Sequence, residues 1–118
     1  MMTDLFNEKT IIIKDNPTLA RVATHLLALI ERDKTLLDGD DRGMIDKKCV
    51  LAYWISDGLN GENFKEFLTS EKMVSGDTIT RAVRYLASED FIRLSSKAVK
   101  DGQNQAARLS RKSAFQGR

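Results

Sequence analysis

The chain has 118 residues, 42% of them hydrophobic, which suits one compact domain with a modest core. Its single cysteine, Cys49, excludes an intrachain disulfide, and with His25 as the one histidine a Cys/His zinc site is not expected. The chain opens without a signal-peptide pattern, and its longest apolar run, 49–55, is far shorter than the roughly 20 residues of a membrane span. We therefore expect a soluble, cytoplasmic protein with no membrane partner.

The net charge of +2 is unevenly distributed along the chain. Residues 1–72 contain 10 Lys and Arg against 13 Asp and Glu, whereas residues 73–118 contain 9 against 4. A basic second half favours attraction to phosphate groups, and a merely solvated basic tail is the alternative.

An N-terminal arm, residues 1–15, contains a β-prone run from Thr10 to Ile13. This run predicts a short strand, which could pair with a hairpin of the same chain or with the same strand of another copy. Asn16 and Pro17 then supply a helix N-cap and a first helical residue, and we predict a helix from Pro17 to Leu36. His25 is expected at the edge of the buried apolar stripe of this helix, and this is preferred to a role as a metal ligand or catalytic base.

An acidic loop follows, and its spacing argues against calcium. Counted from Asp38, the fifth position is Arg42 and the twelfth is Cys49, so two of the required carboxylates are absent. The loop is therefore predicted to be solvated and free of metal.

A central helix is predicted from Ile45 to Leu59, capped near Asp46 and ended by Gly58, because the run is apolar nearly all round from Cys49 to Ile55. A buried strand is the alternative. Tyr53 and Trp54 are expected in the core, although exposed aromatics would instead mark an interface.

Residues 62–89 have the pattern of a helix-turn-helix. The first helix offers Phe64, Phe67 and Leu68 at helical spacing, and the turn is predicted to place Val74 inward. The second helix is predicted to bury Ile79, Ala82, Val83 and Leu86, and to expose Thr78, Thr80, Arg81 and Arg84.

At Ser75, Thr78, Ile79, Arg81, Ala82 and Leu86, followed by the acidic turn 88–90, the chain resembles the winged helix-turn-helix family of DNA-binding regulators. The resemblance covers roughly residues 62–112. Family members often place Gly just after the recognition helix, where this chain has Asp90. Asp tolerates the left-handed conformation less well than Gly but better than most residues.

Two alternating segments, Ile92–Leu94 and Ala107–Leu109, predict half-buried strands around Asp101-Gly102, the preferred dipeptide of a type I′ hairpin turn. The resemblance implies that this hairpin, about residues 91–110, is the wing. A helix from Ala98 to Leu109 is the alternative. The predicted fold is thus mainly α with a small β-hairpin wing, a single winged-helix domain over residues 16–112 followed by a basic tail, 113–118.

This fold implies a small DNA-binding regulator of transcription or replication, with residues 75–88 in the major groove and the wing on the backbone. Arg81 and Arg84 are candidates for guanine edges, and Thr78 and Thr80 for phosphate or a thymine methyl group. The full set of predicted DNA contacts is Ser75, Thr78, Thr80, Arg81, Arg84, Tyr85, Lys97, Lys100, Gln103, Asn104, Arg108, Arg111 and Lys112.

The predicted partners are double-stranded DNA and, for paired half-sites, a second copy as a homodimer. The alternative function is a protein-interaction module that docks on a replication or transcription protein and binds DNA weakly. The residues offer no recognised nucleophile setting or phosphate loop, so neither enzyme activity nor a cofactor is predicted.

Overall fold

The computed structural model describes residues 10–103, and their regular structure is helical throughout. Five α-helices and one short 3-10 helix follow each other in this order: α1 Pro17–Arg32, the 3-10 helix Lys34–Leu37, α2 Arg42–Ser56, α3 Phe64–Leu68, α4 Gly76–Ser88, and α5, which covers residues 96–103.

Helix α1 begins as its sequence predicts. The Asn16 side chain accepts a hydrogen bond from the Leu19 backbone N–H at 3.0 Å, and Pro17 occupies the first helical position. The helix ends at Arg32, before the predicted Leu36, because the Asp33 carboxylate accepts from the Thr35 N–H and starts the 3-10 helix.

Helix α2 begins earlier than the sequence suggested. Its N-cap is Asp41, whose carboxylate accepts from the Met44 N–H at 3.2 Å, whereas Asp46 lies inside the helix. Gly58 ends it as predicted, with a φ of 116° that favours glycine. The Gly58 and Leu59 N–H groups then return to the last helical carbonyls in a Schellman arrangement.

The core lies where α1, α2 and α4 pack together. The inner face of α2 contributes Ile45, Cys49 and Tyr53, all buried, and α4 buries the four residues that its periodicity predicted: Ile79, Ala82, Val83 and Leu86. Trp54 is half-buried against this core. The expectation that Tyr53 and Trp54 belong to the core is confirmed.

The predicted β-hairpin wing is wrong for the described residues. Residues 10–103 contain no β-strand, and the second half of the proposed hairpin lies beyond them. The Ile11 N–H, which a strand would offer to a neighbour, instead donates to the Thr24 hydroxyl of α1 at 2.9 Å. The Thr10–Ile13 run therefore lies beside α1 and pairs with no strand among residues 10–103.

Asp101 and Gly102 lie in α5, in agreement with the alternative that the sequence left open. Ser95 caps this helix by accepting from the Ala98 N–H at 3.0 Å, and Ala98 is fully buried. Asp101 accepts a hydrogen bond from the Arg42 backbone N–H at 3.0 Å, at the start of α2. A Cβ on Gly102 would lie 2.9 Å from Arg42 Nη1, so glycine permits the close approach of α5 to the Arg42 side chain.

Candidate nucleic-acid interface

Helix α4 is held in place by its own cap and by the single tryptophan of the chain. Ser75 Oγ accepts from the Thr78 N–H at 3.1 Å and fixes the first turn of the helix. Trp54 Nε1 donates to the Val74 carbonyl at 2.8 Å, and the Trp54 ring makes an edge contact with Phe67 of α3 at 6.3 Å. Trp54 thus joins α2 to both α3 and the connector before α4.

The C-terminus of α4 is also fixed, by Asp90. Its φ of 61° lies in the left-handed region. This is the conformation expected for the residue just after the helix, where winged-helix proteins often have glycine. The Asp90 N–H bonds to the Ala87 carbonyl and the Phe91 N–H to the Leu86 carbonyl, as in a Schellman motif. Both ends of α4 are therefore defined by local hydrogen bonds.

Two arginines dominate the outer face of α4. Arg81 and Arg84 are both exposed, and three residues of helix place them about 60° apart. Arg81 Nε is 3.2 Å from the Asp77 carboxylate one turn earlier, in a pair whose side chains are 63% and 72% exposed. Exposed pairs of this kind contribute only about 0.3–0.5 kcal/mol, so the Arg81 side chain is readily released to another anion.

Hydroxyl groups near the start of α4 are occupied by the helix itself. Ser75 and Thr78 bond to each other through their side chains at 2.9 Å, and the Thr80 hydroxyl donates to the Asp77 carbonyl at 2.9 Å. Tyr85 is half-buried and stacks with Phe91 at 6.5 Å. Of the predicted contacts on α4, Arg81 and Arg84 are thus the most available.

Three predicted wing residues lie on α5 and not on a hairpin tip. Lys97, Lys100 and Gln103 are exposed there. The remaining four, Asn104, Arg108, Arg111 and Lys112, lie outside the described residues. The structure therefore places these three residues on a helix that follows the turn 89–95. It brings Gln103 close to Arg84, since both line one cavity of about 260 Å³ together with Arg42.

Charge is distributed differently from the expectation of a basic face. Residues 10–103 contain 14 Lys and Arg against 15 Asp and Glu, whereas residues 104–118 contain four basic residues and no acidic one. Asp77, Glu89 and Asp90 accompany the arginines at α4. Attraction to phosphate by the described part would therefore be local, and most of the basic excess lies in the last 15 residues.

An apolar groove of about 350 Å³ lies between α2 and the start of α4. Its walls are Val50, Leu51 and Trp54 on one side and Gly76, Asp77 and Thr80 on the other. Sequence reasoning did not identify this groove. The sequence signal that could have indicated it is the apolar run 49–55 of α2. Such a run predicts that most sides of the helix are buried, whereas the described residues leave part of it exposed.

Cys49 and His25, the residues that could have served as a metal ligand or a catalytic group, both contact neighbouring side chains of the fold. Burial raises the pKa of the Cys49 thiol to about 12, and the nearby Asp46 carboxylate acts in the same direction. His25 Nε2 lies 3.0 Å from the Ser56 hydroxyl, and its ring makes an edge contact with Tyr53 at 4.8 Å. In residues 10–103, no three His, Cys, Asp or Glu side chains are grouped closely enough to hold a metal ion.

Comparison of the chain with protein-family models, curated proteins and solved structures found no match. Among the described helices, none has both the length and the apolar character to cross a membrane.

Proposed function

We propose that the protein binds double-stranded DNA through the outer face of α4, as a regulator of transcription or replication that catalyses no reaction. The observation that carries this proposal is the exposed pair Arg81 and Arg84 on a helix fixed at both ends. Arginine is the residue that most often reads guanine in the major groove, and an α-helix fits that groove. The basic residues 104–118 would add contacts to phosphate.

This mode of binding needs no wing. The α4 arginines would enter the groove, and Arg81 would exchange its weak pair with Asp77 for a base or phosphate. A cytoplasmic location, as predicted from the sequence, is compatible with this role.

The test is fluorescence anisotropy of a mixed-sequence DNA duplex titrated with the protein at several salt concentrations. The double variant Arg81→Ala/Arg84→Ala should weaken binding by at least about tenfold. It should also lower the slope of log affinity against log salt by about one for each phosphate that it no longer neutralises. Arg21→Ala/Arg32→Ala is the matched control, because it removes two exposed arginines from α1.

Equal weakening by the two double variants would mean that only net charge matters and would contradict a role for α4. Absence of binding at low salt would reject the proposal altogether.

A second candidate function is a protein-interaction module. The observation that favours it is the exposed apolar outer face of α2, which is unusual for a helix at the surface. Capture of a replication or transcription protein that survives Arg81→Ala/Arg84→Ala, without DNA binding by the unmodified chain, would support this alternative.

A further inference from the structure

A cavity of about 470 Å³ lies between the 3-10 helix with its following loop and the turn 91–95 after α4. Lys34 and Asp38 line it from the first side, and Phe91 and Arg93 line it from the second. Small-molecule sites in proteins have volumes of about 300–1,000 Å³. This cavity is therefore large enough for a small organic ligand, and none of the predicted DNA contacts lines it.

Hydrogen bonds fix both walls of the cavity. Ser95 Oγ donates to the Gly39 carbonyl at 3.2 Å and joins the two walls directly. The Lys48 ammonium of α2 donates to the Thr35 and Asp38 carbonyls, at 3.1 and 2.9 Å, and holds the first wall. A site whose walls are already ordered loses little conformational entropy when a ligand enters. The cavity thus has the preformed walls of a binding site.

The deepest part of the cavity is apolar, and one wall includes an aromatic ring. Ile30 and Ile92, which are 3% and 7% exposed, line the cavity together with Phe91. Phe91 is 37% exposed, although it stacks with Tyr85 at a ring distance of 6.5 Å. Nucleobases bind on exposed aromatic rings of this kind, because every base has a π-face. A planar aromatic group on the ligand is therefore favoured.

The charged residues at the cavity indicate that the ligand also carries a phosphate group. Lys34 and Arg93 are exposed, and neither forms an ion pair with another of residues 10–103. Two unpaired cations favour a doubly charged anion, and a phosphate monoester has a charge of about −1.5 to −2 at pH 7. The Asp38 carboxylate accepts hydrogen bonds, so the ligand should have donor groups as well.

We propose that the cavity binds a nucleoside monophosphate, with its base on Phe91, its phosphate at Lys34 and Arg93, and its hydroxyl or amino donors at Asp38. This class of ligand combines the planar ring, the dianion and the donors in one molecule. An internal nucleotide of a nucleic acid has a phosphodiester with a single charge, which matches two cations less well. The site contains neither Arg81 nor Arg84, so the inference does not depend on the proposed DNA binding.

The experiment is an NMR titration of the isotope-labelled full chain with adenosine, guanosine, cytidine and uridine monophosphate, one at a time. At least one of the four should bind with a dissociation constant below about 1 mM and shift the backbone amide signals of residues 34–39 and 91–95. The corresponding nucleoside and inorganic phosphate should each bind at least about tenfold more weakly, because each lacks one part of the ligand.

Two variants separate the contributions of phosphate and base. Lys34→Ala/Arg93→Ala should weaken nucleotide binding by at least about tenfold. Phe91→Leu should weaken it by at least about threefold and leave the binding of inorganic phosphate unchanged. Lys65→Ala/Lys72→Ala is the matched control, because it removes two exposed lysines outside the cavity and should bind as the unmodified chain does. Circular dichroism of each variant establishes that it is folded.

Absence of binding by all four nucleotides at about 1 mM would overturn the proposal, as would shifts confined to other residues or an unchanged affinity of Lys34→Ala/Arg93→Ala. Inorganic phosphate that binds as tightly as the nucleotide, or full nucleotide affinity in Phe91→Leu, would contradict the place of the base. A single-stranded oligonucleotide without a terminal phosphate that shifts the same residues, when the monophosphates do not, would assign the cavity to single-stranded nucleic acid instead.

Discussion

Asp46 has opposing influences on its ionisation. Burial raises the pKa of its carboxyl, while the Arg42 guanidinium, whose Nε lies 3.1 Å away, and the charge of Arg84 act in the other direction. The effect of burial is the larger. A carboxyl whose pKa is higher in the folded state binds its proton more tightly there than in the unfolded chain.

The sign of the resulting pH dependence follows directly. The ionised Asp46 lowers the free energy of unfolding at neutral pH, and this deficit is recovered as the pH falls through the raised pKa of the folded state. We therefore expect the free energy of urea unfolding of the unmodified chain, relative to that of Asp46→Asn, to increase as the pH is lowered from 7 towards the ordinary Asp pKa of 3.8. An unchanged difference would mean that the Arg42 pair balances the effect of burial, and an opposite one would mean that it outweighs burial.

Single residues differ in how much of their structure could be predicted from the sequence. The left-handed conformation of Asp90 was a local property of a helix end, and it was anticipated. The Asp101-Gly102 pair was equally suggestive of a turn, but Asp101 is bonded to the Arg42 N–H, 59 residues away in the chain. A dipeptide signal contains no information on such a distant contact.

At the scale of elements, α5 is fastened to the N-terminus of α2. The Asp101 carboxylate accepts from the Arg42 N–H at 3.0 Å, beside the Asp41 carboxylate that caps the same helix end. Two anions at a helix N-terminus are favoured by the exposed N–H groups and the helix dipole.

Removal of the Asp101 carboxylate should have a measurable effect on stability. We expect Asp101→Ala to lower the free energy of unfolding by about 1 kcal/mol, with Asp101→Asn less costly because its amide oxygen still accepts a hydrogen bond. Urea unfolding monitored by the fluorescence of Trp54, whose side chain links α2 to the connector before α4, measures both. If Asp101 were on a solvated hairpin tip instead, alanine would have little effect.

The helices themselves were largely predictable because their signals are local. Asn16-Pro17 gave the start of α1, and the apolar period gave the buried face of α4. The start of α2 was misplaced by several residues, since Asp38, Asp41 and Asp46 are all suitable caps and only packing chooses among them. The candidate arginines were found for the same local reason, whereas the groove beside Trp54 depends on how two helices meet.

For the whole molecule, the proposed DNA binding depends on how the charge is distributed. Residues 10–103 are nearly balanced, and the basic excess of the chain lies in residues 104–118. If α4 supplies the contacts to bases and the last residues supply contacts to phosphate, the two sets should affect binding differently.

This division predicts the behaviour of a tail variant. Arg108→Ala/Arg111→Ala/Lys112→Ala should weaken binding to all duplex sequences alike and lower the slope of log affinity against log salt by about three, because each phosphate left unneutralised keeps about one counterion. Anisotropy titrations with two unrelated duplexes at several salt concentrations measure both quantities, with Arg81→Ala/Arg84→Ala in parallel. An altered sequence preference in the tail variant would place base contacts in the tail, whereas an unchanged salt slope would show that the tail does not meet the phosphates.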